Sequence, residues 1–340
     1  MGSYRQTGSK GYLFGIVLVA VIGGLLFGYD TAVISGAEKG LQAFFRYATD
    51  FTYTDGMHGF TTSSALIGCV IGALVSGLLS SRLGRKKSLF IAGVLFVLSA
   101  LGSYCPEFLF FNRGEASFKL MVAFNLYRIL GGIGVGMASA LCPMYIAEVS
   151  PASRRGALVS WNQFAIIFGQ LVVYFVNFVI LGDHIAPEME SLAEGINRIV
   201  NSAELATDAN WSVTTGWRLM FVSECVPAGL FTILILLVPE TPRYLAMTGR
   251  DDRALSVLSR INGEAKAAEI LSEIKATTAE KKDKLLSFGF AVIFIGIMLS
   301  VFQQAVGINA VLYYAPRIFD SMDLGDPMVQ TVMMGVINIS

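Results

Sequence analysis

The sequence predicts an all-α protein that crosses a lipid bilayer many times. Three observations carry that reading. The 340 residues are 54% hydrophobic and 15% charged, with a mean hydropathy of +0.62, which is more apolar than soluble domains are. Apolar runs long enough to cross about 30 Å of hydrocarbon recur along the chain. The polar segments between them alternate between basic and acidic. The formal net charge is zero, which gives no reason to expect a nucleic-acid partner.

The first apolar run covers about residues 11–34, after a short polar start with Arg5 and Lys10. It is longer than the apolar region of a signal peptide and has no obvious small-residue cleavage site, so it reads as a membrane span. Further spans are expected at about 60–80, 88–104, 120–143, 157–181 and 217–238. The fourth contains GGIGVGMASA at 131–140. A phosphate-binding glycine loop needs a preceding strand and a polar loop. Glycines inside an apolar run instead let two helices approach closely. Residues 240–286 mix Lys and Arg with Asp and Glu in the pattern of short amphipathic helices outside the membrane. A seventh span starts near Leu285, breaks around Gly307 and resumes to about Ala315. An eighth starts near Met328 and stops at Ser340, so the chain reads as truncated after about eight spans. The expected division is 1–239, a six-helix transmembrane half; 240–286, a cytoplasmic helical linker; and 287–340, the start of a second half.

The basic segments are 1–10, 82–87, 147–156 and 240–286; the acid-rich ones are 36–59, 182–216 and 317–327. Their alternation follows the excess of Lys and Arg on the cytoplasmic side and places the N-terminus there. The segment 182–216 holds six acids and one Arg, and this reading gives it no role. Cys69, Cys105, Cys142 and Cys225 match no metal or disulfide spacing and read as packing residues. His58 and His184 fall in predicted loops and point to no metal.

Chemistry enters with charges inside the apolar runs. Asp30 stands among Leu, Phe, Tyr, Val and Ile. A charge deep in a bilayer costs about 2.5–3.5 kcal/mol on insertion scales and usually marks an ion or proton path. An acid at a helix end, wetted by headgroups, is the plainer alternative. Arg128 in the fourth span is the natural partner of Asp30, and Glu224 is a further acid in the sixth. A nearby guanidinium favours an ionised carboxylate, and losing it favours the protonated form. A movement that separates such a pair would therefore take up a proton. Gln163, Gln170, Gln303, Gln304, Asn309 and Asn338 also lie in apolar spans, with Gln163 and Gln170 on one helical face. Amides donate and accept, which suits a ligand covered in hydroxyls; they also simply join neighbouring helices. Phe27, Tyr313 and Tyr314 offer apolar faces to a sugar ring. Gly28-Tyr29-Asp30 in the first span is echoed by Gly307-Ile308-Asn309 in the seventh, which is either a chance match or the trace of two parallel repeats.

The pieces GLLFGYDTAVISG at 24–36, RLGRKK at 82–87, YRILGGIGVG at 127–136 and PMYIAEVSPASRRG at 143–156 occur in that order. NQFAIIFGQ at 162–170, PETPR at 239–243, QQAVGINAVLYYAP at 303–316 and GVIN at 335–338 follow. Together they resemble the sugar porters of the major facilitator superfamily, and among them the bacterial proton-coupled D-xylose symporters. The resemblance implies a major facilitator fold of two six-helix halves, twelve helices in all. It implies sugar contacts at Phe27, Gln170, Gln303, Gln304, Asn309, Tyr313 and Asn338. It implies proton coupling at Asp30 with Arg128 and Glu224, and a cytoplasmic gating network of Arg85, Glu148, Arg155, Glu240 and Arg243. The expectation is a proton-coupled symporter of pentoses or hexoses, D-xylose foremost, in a bacterial inner membrane. The ligands are a monosaccharide and a proton; no cofactor is expected, and the protein is read as a monomer in the bilayer. Facilitated diffusion without protons and a sugar sensor on a transporter scaffold are the alternatives. No nucleophile–base pair, metal cluster or phosphate loop in the sequence points to an enzyme.

Overall fold

A computed structural model describes residues 8–108, 110–112, 114–182, 212–279, 290–322 and 325–339. Its regular elements, among these residues, are helices. They are α1 (Lys10–Arg46), α2 (Asp55–Leu83), α3 (Arg85–Tyr104), α4 (Phe118–Val149) and α5 (Arg155–Gly182). Next come α6 (Trp217–Ser223), α7 (Cys225–Leu234), α8 (Pro242–Met247), α9 (Asp251–Asn262) and α10 (Glu264–Ala279). The last three are α11 (Phe290–Ala305), α12 (Ile308–Ser321) and α13 (Pro327–Ile339). Seven helical stretches among the described residues are long and apolar enough to cross a membrane. The sixth joins α6 to α7 and the seventh joins α11 to α12, while α13 is a shorter apolar helix. His184, most of the acidic segment 182–216 and the linker boundary at 286 lie outside the described residues.

Several helices run further than the apolar pattern indicates. The first was expected to end at about residue 34, but α1 continues to Arg46. Ala37, Glu38, Leu41, Gln42, Phe44 and Phe45 are all buried on this extension. Phe44 packs on Trp217 with ring centroids 5.5 Å apart, and Phe45 on Tyr53 at the same separation. The buried Glu38 and Gln42 made an amphipathic helix look like a loop. Likewise α2 starts at Asp55, capped by Thr54, so His58 lies in its first helical turns and is buried, not in a loop. Arg317 and Asp320 also lie on a helix, α12. α4 passes through Pro143 to Val149; the lost backbone bond is offset by Tyr145, Ile146 and Val149, all buried in the core.

The sixth span divides at Glu224. Pro227 has no N–H to give the Ser223 carbonyl four residues earlier, so the helix loosens there. The seventh divides at Gly307, whose φ of +80° caps α12 in the left-handed region that glycine enters without strain. The glycines of α4 serve packing: a Cβ on Gly132 would strike the Ala65 carbonyl of α2, and one on Gly136 the Cys69 carbonyl. The four cysteines are free.

Two apolar clusters fill the bundle. One joins the first half of α1 to the end of α4, to α7 and to the linker helices, through Leu13, Leu26, Leu141, Phe231 and Ile261. The other joins the second half of α1 to the start of α4, to α6 and to α12, through Phe45, Phe124, Trp217, Phe221 and Leu312. α8–α10 sit at the first end, where Ser9 N–H donates to the Arg260 carbonyl at 2.9 Å. α12 and α13 pack against α1 and α5, while α11 buries none of its residues among those described.

Candidate functional site

The seam between the two clusters holds the charges. Along α1 it falls between Leu26 and Tyr29, next to Asp30; along α4 it falls between Phe124 and Val135, around Arg128; and along the sixth span it falls between Phe221 and Ala228, around Glu224. Asp30, Arg128 and Glu224 are all buried there. Arg128 Nη1 donates to Asp30 Oδ1 at 2.6 Å and Nη2 to the Asp30 backbone carbonyl at 3.3 Å. Its guanidinium lies 5.0 Å over the Phe221 ring. Glu224 lies close enough to interact electrostatically with both members of the pair. Yet neither of its oxygens, nor Asp30 Oδ2, nor Arg128 Nε has a hydrogen-bond partner among the described residues. The break made by Pro227 places this acid opposite the pair. Two carboxyl groups and one guanidinium, excluded from water, are neutral only when one proton is bound, and an uncompensated buried charge is costly.

The amides fall into two pairs. Asn338 Nδ2 on α13 donates to Gln170 Oε1 on α5 at 3.3 Å, joining the first helices to the last. Asn309 Nδ2 donates to Gln304 Oε1 at 2.8 Å, across the Gly307 break. Tyr313 is buried on α12 and faces Asp30 and Arg128. Phe27 is half-buried one turn before Asp30. Gln303 is exposed and makes no hydrogen bond among the described residues. Gln163 is exposed while Gln170 is buried, so their shared face does not bring both into the interior.

At the linker end Arg85 Nη2 pairs with Glu148 Oε1 at 2.8 Å, and the guanidinium lies 5.6 Å over the Tyr244 ring. The Arg85 backbone N–H donates to Glu240 Oε1 at 3.0 Å, and the Thr241 hydroxyl donates to Glu148 Oε2 at 2.6 Å. Burial pushes the Glu240 carboxyl above its usual range, against the pull of the Thr241, Lys86 and Arg85 backbone N–H groups and the Arg85 charge. Arg155 and Arg243 stand apart from the Arg85–Glu148–Glu240 set in this conformation. Both are exposed at the first turns of α5 and α8, and among the described residues neither forms an ion pair.

Sequence reasoning missed three buried features. Glu107 pairs with Arg218 beneath Trp217 and Phe44. Asn177 Nδ2 donates to the Val33 carbonyl of α1 at 3.2 Å. Glu38 pairs with both His58 and Arg317. The last two features carried a signal, since Asn177 is a polar residue inside an apolar run and Glu38, His58 and Arg317 recur at the same end of predicted spans.

Membrane-length apolar helices packed around a buried Asp30–Arg128 ion pair, with Glu224 beside it, have the build of a membrane transporter. The chain belongs to the family described as "Sugar (and other) transporter", whose family model matches residues 16–340. It is 45% identical to the D-xylose-proton symporter of Escherichia coli over 98% of this chain and 66% of that protein. It is 36% identical to the arabinose-proton symporter of Bacillus subtilis over 97% of this chain and 64% of that one. It is 34% identical to the glucose facilitated diffusion protein of Zymomonas mobilis over 97% and 66%. A solved structure of the proton:xylose symporter XylE bound to 6-bromo-6-deoxy-D-glucose matches at 45% identity with a TM-score of 0.81, covering 97% of this chain and 67% of that one. The chain thus has the major facilitator fold and is a multi-pass membrane protein. It spans just under two thirds of the length of these curated relatives, at 66%, 64% and 66%.

Proposed function

We propose that the protein is a proton-coupled symporter of a pentose or hexose, D-xylose foremost, working by alternating access in a bacterial inner membrane. The observation that carries this reading is the buried set of Asp30, Arg128 and Glu224, which balances its charge by binding one proton. The names of the E. coli and B. subtilis relatives, both proton symporters, support it. In this reading residues 1–239 form one half, 240–286 a cytoplasmic linker and 287–340 the start of the second half, with the N-terminus in the cytoplasm. Separation of Asp30 from Arg128 takes up a proton, and their re-pairing releases it. Sugar hydroxyls replace the amide–amide bonds at Gln170–Asn338 and Gln304–Asn309, with Gln303, Phe27 and Tyr313 beside them. Arg85, Glu148 and Glu240 hold the cytoplasmic end shut, and Arg155 and Arg243 join them only in another conformation.

Uptake by the intact protein in proteoliposomes, with a panel of sugars and an imposed pH gradient, tests this. Accumulation of a pentose or hexose above its outside level in response to an inwardly acidic-to-neutral gradient is expected. Sugar entry that stops at equal concentrations would favour a second reading, facilitated diffusion, which the Z. mobilis relative's name supports.

A further inference from the structure

The end of the bundle away from α8–α10 carries a second buried charge set. Glu38 on α1 and His58 on α2 have only 2% and 4% of their side chains exposed. His58 Nε2 lies 2.8 Å from Glu38 Oε1, and His58 Nδ1 lies 3.2 Å from the Tyr53 hydroxyl. The same Glu38 oxygen takes an N–H from Arg317 Nη2 at 2.6 Å, and that nitrogen also donates to Gln42 Oε1 at 2.7 Å. Arg317 lies on α12 and is 40% exposed. Beside it Lys39 pairs with Asp320 at 2.7 Å. One turn earlier on α12, the Tyr314 hydroxyl meets Thr62 Oγ1 at 2.7 Å, and its ring lies 6.5 Å from the His58 ring. Asp55 completes the surroundings, paired with Arg46 at 2.8 Å. The charged and titratable groups around His58 are therefore Glu38, Lys39 and Arg46 from α1, Tyr53 from the connecting loop and Asp55 from α2. Tyr314, Arg317 and Asp320 face it from α12.

The division of these groups between two bodies matters. Glu38 and His58 belong to the first helices, whereas Arg317 belongs to α12, beyond the linker. A buried carboxylate needs a counter-charge. In the arrangement seen, Arg317 supplies it. The contacts fit the tautomer with its proton on Nε2, which gives Nε2–H to Glu38 and takes the Tyr53 O–H at Nδ1. Burial pushes the Tyr53 phenol up to about 12, so it keeps its proton to donate. A proton added to His58 here would put two cations on one buried carboxylate. When α12 moves away, Arg317 goes with it and Glu38 stays beside His58. The imidazolium is then the one cation within hydrogen-bond distance of that carboxylate among the residues described.

We propose that His58 is a second proton-binding site, filled when α12 separates from α1 and α2 at this end and emptied when they close. Acid at this face thereby favours opening. In the orientation proposed above this face is the outer one, so an acidic exterior opens the transporter toward the side from which proton and sugar arrive. The site differs from the Asp30 set, which lies about two helical turns deeper along α1.

This inference rests on the alternating-access reading, and one experiment separates the two. Spin labels at Thr52 and Met322, both exposed and outside the charge set, report the gap between the first helices and α12. Distances are recorded in the intact protein in nanodiscs from about pH 8 to pH 5, the range in which histidines take up a proton. The wide-gap population should grow as pH falls, by up to about tenfold per pH unit for one linked proton. His58→Gln should flatten that growth to the part carried by Asp30, and Glu38→Gln, which removes the need for a counter-charge, should do the same. Arg317→Gln should raise the wide-gap population already at pH 8. An unaltered pH response in both His58→Gln and Glu38→Gln overturns the His58 site, as does a wild-type gap that responds to D-xylose but not to pH. A gap that responds to neither overturns alternating access along with it.

Discussion

Asp30→Asn exchanges one carboxylate oxygen of the buried pair for an amide and leaves the shape nearly unchanged. It fixes a neutral group where the proposed cycle alternates between charged and protonated. Arg128 keeps an acceptor at Oδ1 but loses the opposite charge there, and it keeps its 3.3 Å bond to the residue-30 carbonyl and its place over Phe221. Glu224 remains nearby as a counter-charge. The loss of stability should therefore stay below the about 3–5 kcal/mol of a buried ion pair broken outright. Coupling is another matter. One proton per sugar moving down a gradient of one pH unit supplies about 1.4 kcal/mol, enough for roughly tenfold accumulation. The mutant should bind sugar and exchange labelled sugar when sugar is present on both sides. It should accumulate none, because no protonation step links the two fluxes. The assay is counterflow and gradient-driven uptake on one preparation, with a melting curve to confirm that the mutant is folded. A folded Asp30→Asn protein that still concentrates sugar would refute the reasoning and move the proton to Glu224. Loss of exchange and accumulation together, with a collapsed melting curve, would assign Asp30 a structural role instead.

Gln170→Ala leaves Asn338 without its partner and removes groups proposed to meet sugar hydroxyls, which costs about 1–3 kcal/mol, or roughly five- to hundredfold in affinity. Calorimetry finding unchanged affinity would give Gln170 a packing role. For topology, single cysteines at Ser81 and Thr52, in a background without the four native ones, should label from opposite sides of the membrane; labelling from one side contradicts the proposed orientation. For pH, a carboxyl such as Glu240, raised on folding, contributes fully below its unfolded range and loses that contribution as pH rises through its raised value. Melting temperature should fall as pH climbs out of the acid range, and less steeply in Glu240→Gln; identical slopes would remove Glu240 from the account.

The spans and the charge set were legible because a membrane makes the signal simple. Asp30, Arg128 and Glu224 stand out in apolar runs, and Gly307 announces the break between α11 and α12. Length alone does not report where a helix ends once polar residues are buried. Glu38, Gln42 and His58 sit on helical extensions of α1 and α2 because Arg317, Asp55 and Tyr53 satisfy them, and Arg317 lies far away in the chain. Arg155 and Arg243 show the other side of this: motif resemblance groups them with the gate, but both stand exposed at helix starts in this conformation, apart from Arg85, Glu148 and Glu240.

Proton movement itself tests the central claim most directly. The intact protein in lightly buffered proteoliposomes, with no imposed gradient, is given D-xylose and the external pH is followed. The account predicts a rise in external pH as sugar enters, one proton per sugar, absent in Asp30→Asn. Sugar entry with no change in external pH would contradict it.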